Sequence, residues 1–225
     1  MEASRYGASA GFVGLAGFPK RACLAISPPM KPDDDQDGLT GLANAAAARA
    51  LLHDWLCESE ARVHALLLVL GRFDSVNLAH GSDAGDYALT EVARRITHFG
   101  QDEFAPGEWF AARIEGGKFL LATREKCSRE RWQFLAEALA DGIAQPLAGV
   151  TTGLPQLWPH LALIRALSGD DPAGVLGRLS DAQIALRGEP GRRIVWIDRE
   201  DAPAGIDATQ IEAELRRALD EGAVS

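Results

Sequence analysis

The sequence predicts an α+β domain in which helices cover a mixed, mainly antiparallel β-sheet. Residues 62–70 form a continuous apolar run of strand length, which is typical of a strand buried on both faces. Residues 109–123 are two apolar runs joined by adjacent glycines, a pattern that favours a tight β-hairpin. Stretches with helical periodicity lie between and after these strands, and this order favours one sandwich of helices on a sheet.

Composition limits the class of protein. A chain of 225 residues with 47% hydrophobic and 24% charged side chains is typical of a soluble globular domain with tails. The 23 basic and 32 acidic side chains give a net charge of −9, and such a surface repels phosphate backbones. We therefore expect no nucleic-acid partner, although a single nucleotide in a local pocket is compatible with this charge.

Cysteine and histidine usage indicates neither a disulfide framework nor a metal site. Cys23, Cys57 and Cys127 are odd in number and lack CxxC spacing, which favours reduced, structural thiols in a cytoplasmic protein. The five histidines show no HExxH or similar spacing, so we interpret them as structural or surface residues.

Three zones divide the chain. Residues 1–36 are rich in Gly, Ala and Ser and end in an acidic cluster, which predicts a flexible N-terminal segment. Their apolar residues form neither a membrane span nor a secretion signal, so no membrane association is expected. Residues 37–200 form the predicted folded domain, and residues 201–225 form a C-terminal helix with acidic and basic side chains at pairing distances.

Within the folded zone, alanine content and apolar spacing predict the first helix, and amphipathic periodicity predicts the next long ones. Gly81, Gly85 and Asp86 favour a loop before the helix that begins at residue 87. The predicted elements are a helix at 45–60, a strand at 62–70, a short helix at 75–79, a helix at 87–99, the hairpin at 109–123, a helix at 128–143, a strand at 147–154, a helix within 172–186, a strand at 193–197 and a helix at 208–221.

Three motifs stand in order along this zone. They are DGLTGLAN at 37–44, RFDSVNLAHGSDAGDYALTEVARRI at 72–96 and ARIEGGKF at 112–119. They resemble the DxLTGLxNR opening, the RFKxINDxxGHxxGDxxLxxVAxRL segment and the ARxGGDEF hairpin of GGDEF domains, the diguanylate cyclase family. The resemblance covers roughly residues 37–198 and weakens after 152. It implies a nucleotide cyclase-like (ferredoxin-like) sandwich with a central, mainly antiparallel five-stranded sheet flanked by helices.

The resemblance also shows what this sequence has lost. Joining two GTP molecules into cyclic di-GMP needs metal ions at the phosphates, and Mg²⁺ prefers carboxylate ligands. The family's ligands come from the strand before RFK and from the third letter of GGDEF, where this chain has Val69 and Gly117. We therefore expect no catalytic residue, no metal and no Mg²⁺ cofactor. The degenerate signature loop consists of Glu115, Gly116, Gly117, Lys118 and Phe119.

Other positions at which the family binds metal or phosphate also hold different residues in this chain. Gly71 replaces an acidic family position, Asp74 stands at the Lys of RFK, and Gly188 stands where a phosphate-binding Lys is expected. The family's RxxD product-inhibition motif falls on residues 106–109, which lack both the Arg and the Asp. Feedback binding of cyclic di-GMP at that motif is therefore not expected.

Two positions that read guanine in the family survive, Asn77 and Asp86. An amide and a carboxylate can together satisfy the edge of a guanine, so binding of GTP without catalysis stays open. The alternative is structural, because Asn and Asp beside glycines are common in loops and helix caps, and Asp86 is placed to cap the helix from residue 87. Lys118 is either a phosphate partner or an exposed strand lysine.

The C-terminal sequence IEAELRRALDEGAVS resembles the helix that leads into EAL phosphodiesterase domains in tandem GGDEF-EAL proteins. Alternatively, it is simply an amphipathic, salt-bridged helix. The leading hypothesis is a non-catalytic regulatory or interaction module of cyclic di-GMP signalling, with an EAL domain as partner in cis or in trans. The alternatives are a divergent diguanylate cyclase using Glu115 and Asp74, and an allosteric GTP receptor. A homodimer stays open because active relatives work as dimers.

Overall fold

The computed structural model describes residues 34–71, 73–147, 157–186 and 192–197, with only the backbone of Asp74. Most of the predicted N-terminal segment and the whole predicted helix at 208–221 lie outside these residues. Within them, no helix combines the length and apolar character needed to cross a membrane. The elements are α1 (Ala45–Cys57), β1 (Arg62–Gly71), α2 (Phe73–His80), α3 (Ser82–Glu103), β2 (Trp109–Glu115), β3 (Lys118–Thr123), α4 (Arg129–Ala144), β4 (Trp158–Leu167), α5 (Pro172–Leu186) and β5 (Ile194–Ile197).

The strands form one five-stranded sheet in the order β2-β3-β1-β4-β5. β1 is central and pairs antiparallel with both β3 and β4, β2 pairs antiparallel with β3, and β5 is parallel to β4. The predicted α+β class with a mainly antiparallel five-stranded sheet is confirmed.

Strand β1 is buried along nearly its whole length, as its apolar run predicts. Alternate side chains enter two separate cores because successive residues of a strand point to opposite faces. Leu66 and Leu68 pack with residues of α3 and α4, whereas Leu67 and Val69 pack with residues of α1 and α5. The helices therefore cover both faces of the sheet.

Two predicted boundaries are wrong. Helix α3 begins at Ser82 rather than at residue 87, with Gly81 as N-cap, so Asp86 lies inside the helix and does not cap it. The fourth strand is Trp158–Leu167, which the sequence did not predict. Leu147 of the predicted strand at 147–154 is not in a strand, and residues 148–154 lie outside the described part of the chain.

Helix α3 is fixed to its neighbours at two points. The Arg95 guanidinium donates to the carbonyl oxygens of Gly142, Ile143, Gln145 and Pro146 at 2.7–3.2 Å, and so satisfies the C-terminal end of α4. The Glu91 carboxylate accepts from Nε of Arg95 at 2.9 Å and holds the guanidinium in place.

At the second point, α3 meets β2 through a glycine. A Cβ built on Gly100 would lie 2.6 Å from two atoms of the Trp109 ring, far inside ordinary contact distance. The bare backbone of Gly100 therefore makes room for the indole. Trp109 stands where the product-inhibition motif has its Asp, and its ring packs against the core formed with α3 and α4.

Candidate functional site

The hairpin between β2 and β3 closes through a two-residue turn. Glu115 pairs with Lys118, which leaves Gly116 and Gly117 as the turn residues. Gly116 has φ +48°, a left-handed conformation that favours glycine. The backbone N–H of Leu70 donates to the Gly117 carbonyl at 3.0 Å, so the turn is attached to the end of β1. The predicted hairpin is thus confirmed in shape.

The entry loop of the domain holds this turn through an ion pair. Arg113 donates to both Asp37 carboxylate oxygens, at 3.1 and 3.3 Å, and through Nε to the Gly116 carbonyl at 3.0 Å. Asp37 also accepts from the backbone N–H and hydroxyl of Thr40. Burial alone would raise the pKa of Asp37, but the hydrogen bonds from Thr40 and Arg113 outweigh it and lower this pKa.

The two positions at which the resemblance places metal ligands are adjacent here, but neither offers a donor. Val69 is 5% exposed and packs in the core formed with α1 and α5. It is the register partner of Lys118 and so lies beside the turn. Gly117 has no side chain, and a Cβ at this position would lie 3.3 Å from Cβ of Leu70 and 3.4 Å from Cγ of Phe73. A side chain at Gly117 would therefore require Leu70 or Phe73 to shift.

Phe73 is the residue that fills this part of the site. Its ring lies between two glycines, because a Cβ on Gly117 would meet Cγ and a Cβ on Gly85 would meet Cζ at 3.3 Å. Phe73 is 9% exposed and belongs to the core formed with α3 and α4. The ring therefore joins the tip of the hairpin to the start of α3.

The structure brings Asn77 against the segment that carries Asp86. A Cβ on Gly85 would lie 2.9 Å from Cγ of Asn77 and closer still to its Oδ1, so the Asn77 amide covers the bare Gly85 backbone. Asp86 is the next residue of α3 and is exposed. Its carbonyl accepts from the Thr90 hydroxyl at 2.9 Å, while its carboxylate has no polar partner among the described residues. Asn77 and Asp86, the two positions at which the resemblance places guanine contacts, are therefore exposed and lie close to each other.

Lys118 is engaged within the hairpin. Its ammonium forms an ion pair with Glu115, and this hydrogen bond lowers the pKa of the Glu115 carboxyl. Phe119, the last residue of the signature loop, is fully buried in the core. The charges of the loop thus neutralise each other at the surface of the turn.

A small cavity of about 200 Å³ lies beside Val69 and Lys118. Gln183 of α5 forms part of its wall and is 5% exposed. Its amide N–H group donates to the carbonyls of Leu67 at 2.6 Å and of His160 at 2.8 Å, which attaches α5 to the sheet. Sequence reasoning missed this residue, as a Gln inside an amphipathic helix gives no signal of burial.

The site does not suit a divalent cation. Within the described residues, no group of three or more His, Cys, Asp or Glu side chains is placed to hold a metal ion. At the two positions where the resemblance places metal ligands, the chain has an aliphatic side chain and a glycine, neither of which is a ligand for Mg²⁺. The side chain of Asp74 and all of Gly188, two further positions singled out above, lie outside the described part.

Comparison with known proteins defines the class. The family model described as "Diguanylate cyclase, GGDEF domain" matches residues 34–172. The match covers more than half of the chain, so the chain belongs to this family, whose domains serve cyclic di-GMP signalling.

Individual relatives match this chain over only part of their own length. An uncharacterized protein of Mycobacterium tuberculosis is 28% identical over 203 residues, which cover 84% of this chain and 30% of that protein. The diguanylate cyclase DgcN of Escherichia coli is 33% identical over 105 residues, covering 46% of this chain and 24% of DgcN. This chain therefore spans about 30% of the length of the curated mycobacterial relatives it matches.

Solved structures agree on the fold. The coiled coil and GGDEF domain of DgcB from Caulobacter crescentus, in complex with cyclic di-GMP, superimposes with a TM-score of 0.64 at 24% identity, covering 74% of this chain and 87% of that one. The FimX GGDEF domain of Pseudomonas aeruginosa gives a TM-score of 0.61 at 18% identity, covering 72% of this chain and 99% of that one. These likenesses show the fold.

Proposed function

We propose that this domain is a degenerate, non-catalytic GGDEF module that regulates an EAL phosphodiesterase domain, in cis or in trans, in cyclic di-GMP signalling. The single observation that carries the proposal is the pair Val69 and Gly117. Val69 is in register with Lys118, next to Gly117, and the space at Gly117 is bordered by Leu70 and Phe73.

The chemistry of the reaction explains why this loss matters. A ribose hydroxyl attacks an α-phosphate, and metal ions neutralise the charge that gathers on the phosphate oxygens. An aliphatic core residue and a glycine supply no such ligand, and the carboxylate of Glu115 is already paired with Lys118. Returning a carboxylate at Gly117 alone would force Phe73 or Leu70 to move.

The test is a cyclase assay on the purified chain. GTP is supplied with Mg²⁺ or with Mn²⁺, and cyclic di-GMP is measured by chromatography, with the Escherichia coli cyclase DgcN as positive control. We expect no cyclic di-GMP above the protein-free blank. Product at a rate that depends on protein concentration would overturn the proposal and favour a divergent cyclase. Glu115→Ala and Asp74→Ala variants would then show whether these acids serve the reaction.

The regulatory part of the proposal needs its own measurement. The resemblance of the C-terminal sequence to the helix before EAL domains supports such a partner, and the longer mycobacterial relatives leave room for one. The measurement uses any EAL domain encoded in the same reading frame, or otherwise a candidate from the same genome. Its rate of cyclic di-GMP hydrolysis is compared with and without this domain. A changed rate is expected. An unchanged rate, with no complex by gel filtration, would contradict this part.

A second candidate function is GTP sensing without turnover. It rests on the exposed Asn77 amide above Gly85 and on the adjacent Asp86 carboxylate, which has no polar partner among the described residues. Calorimetry with GTP and with ATP, in the absence of metal, is expected to show binding of GTP alone. Asp86→Asn should weaken this binding, whereas the matched variant Asp83→Asn, in the first turn of the same helix, should not. No heat at millimolar GTP would dispose of this candidate.

We also propose a cytoplasmic domain that is able to form a homodimer, in line with the thiols and with the family's dimeric enzymes. Light scattering of the purified chain over a range of concentrations measures the association. A constant monomer mass at all concentrations would contradict the dimer.

A further inference from the structure

A second and larger cleft lies at the end of the sheet remote from the hairpin. It has a volume of about 1110 Å³, and its wall includes the first residues of β1, the last residues of β4 and Arg124, which follows β3. The hairpin turn meets the other end of β1, where Val69 is in register with Lys118. The cleft is therefore distinct from the hairpin site, and of residues 106–109 only Glu108 lines it.

The wall contains a buried histidine with unmet hydrogen-bonding capacity. His64 of β1 is 2% exposed, and neither ring nitrogen has a hydrogen-bond partner among the described residues. The Trp132 ring of α4 lies 5.6 Å from the His64 ring, and its Nε1 also lacks a partner. Buried polar groups normally find a partner, so each such group needs an explanation. An acceptor oxygen in this cleft provides one for His64, which lines it, whereas Trp132 does not line it.

Two arginines flank this histidine on the same face of the sheet. Arg165 of β4 is the register partner of His64, and Arg62 precedes it by one step of the two-residue strand period. Burial, Arg165 and Arg62 together lower the pKa of His64 to about 4, so the ring is neutral at physiological pH. The neutral imidazole has one N–H donor and carries no negative charge, so it does not offset the positive charges of Arg62 and Arg165.

The other charges of the cleft do not neutralise these arginines. Glu58 and Glu108 are held by Arg124, at 3.0 Å each. Arg62, Arg165 and the nearby Lys126 form no ion pair or hydrogen bond within the described residues. Glu60 is the remaining acid of the wall and is exposed. A local excess of positive charge therefore exists on a chain whose net charge is −9.

We propose that this cleft binds a phosphate dianion, either free or as the phosphate monoester of a small molecule, between Arg62 and Arg165 with His64 as a further donor. Guanidinium groups suit phosphate because their planar fork makes parallel, charge-assisted hydrogen bonds to its oxygens. The volume exceeds that of one phosphate, so the cleft also has space for an attached organic part. This inference does not rest on the proposed function of the hairpin end.

The test measures binding and the state of His64 together. Inorganic phosphate and glycerol 3-phosphate are titrated into the full chain at constant ionic strength, with chloride as the balancing anion. Calorimetry gives the affinity, and the ring resonances of His64, assigned with a His64→Gln variant, give its pKa by NMR. We expect saturable binding and a higher pKa of His64 in the bound state, because the anion offsets the two arginines.

Variants locate the site. Arg62→Gln and Arg165→Gln should each weaken binding about tenfold or more, as expected for a lost charge-assisted hydrogen bond. Arg49→Gln, an exposed arginine of α1 outside the cleft wall, is the matched control and should leave the affinity unchanged. Circular dichroism confirms that the variants fold.

The two ligands separate the sources of the phosphate. Binding of glycerol 3-phosphate at least as tight as that of inorganic phosphate assigns the cleft to a phosphate monoester, and the reverse order assigns it to the free anion. Three results would each overturn the proposal: no saturable binding at millimolar concentration, an affinity of both arginine variants equal to that of the natural chain, or an unmoved pKa of His64. Since neither ligand is a cyclase substrate, the result is independent of the assay at the hairpin.

Discussion

Gly100 provides a prediction in which two physical effects oppose each other. It lies in α3, and replacing an interior helix glycine by alanine ordinarily stabilises a protein by about 1 kcal/mol. At this position, however, the added Cβ would lie 2.6 Å from two atoms of the Trp109 ring, where 3.4–4 Å is ordinary contact. Displacing an aromatic ring from a packed core costs roughly 1–3 kcal/mol.

The overlap with a rigid ring places the steric cost in the upper part of that range, about 2–3 kcal/mol, so Gly100→Ala should lower the free energy of unfolding by about 1–2 kcal/mol. Gly177→Ala, in the middle of α5 with open space around its Cβ position, is the matched control and should gain about 0.5–1 kcal/mol. Urea unfolding followed by circular dichroism measures both changes.

A double-mutant cycle identifies the cause. Replacing Trp109 by leucine removes the obstructing ring, so Gly100→Ala should be much less costly in a Trp109→Leu background than in the natural chain. If Gly100→Ala is as stable as the natural protein or more so, the tight seam between α3 and β2 is not present in solution, and the reasoning is refuted.

Three further predictions concern buried polar groups. Burial and the two neighbouring arginines lower the pKa of His64 to about 4, whereas the unfolded chain binds this proton below about pH 6.5. The free energy of unfolding should therefore fall by up to about 3 kcal/mol as the pH drops from about 6.5 to about 4. A His64→Leu variant should remove that dependence in urea titrations at a series of pH values. Arg95→Ala should cost about 2–3 kcal/mol in chemical denaturation because it exposes the end of α4, whereas Arg94→Ala, at an exposed ion pair, should change stability by less than about 1 kcal/mol. Gln183→Ala should cost about 1–3 kcal/mol in the same experiment, because the carbonyl oxygens of Leu67 and His160 lose the amide that donates to both.

These expectations fail in different ways. An unchanged pH dependence in His64→Leu would place the titrating group elsewhere. Equal effects of the two arginine variants would mean that the carbonyl contacts of Arg95 carry no stability. A neutral Gln183→Ala would show that α5 is held by its apolar face alone.

The elements that the sequence predicted are those with strong local patterns. The apolar run of β1 and the glycine turn of the hairpin both depend on neighbouring residues, and both were placed correctly. The start of α3 was misplaced because Gly81 and Gly85 resemble a loop. Gly85 is helical because Phe73 and Asn77 fill the space of its missing side chain, which is a tertiary effect.

Strand β4 was missed for a related reason. It carries Pro159 near its start and Arg165 near its end, and neither residue is typical of a central strand. Its position between β1 and β5 becomes evident only from the pairing.

The candidate site shows the same division between local and distant effects. The absence of carboxylates at Val69 and Gly117 was evident from the motifs. The link from Asp37 to Arg113, which are far apart in the chain, required the structure. The same holds for the remote cleft, whose histidine and arginines come from strands that meet only in the sheet. Arg62, His64 and Arg165 belong to no recognised motif, so the sequence did not indicate that they form a cleft.

The central position of β1 has a consequence for how this chain becomes folded during synthesis. Its partner β4 pairs with it along its full length, from Arg62 with Leu167 to Gly71 with Trp158. The ribosome therefore releases β1, with its long buried run, well before one of its two neighbours exists. A product that ends near residue 147 would present that strand as an open apolar edge, a template for pairing with other chains. Contacts so distant in sequence also favour slow folding, which lengthens the time during which a nascent chain exposes this edge.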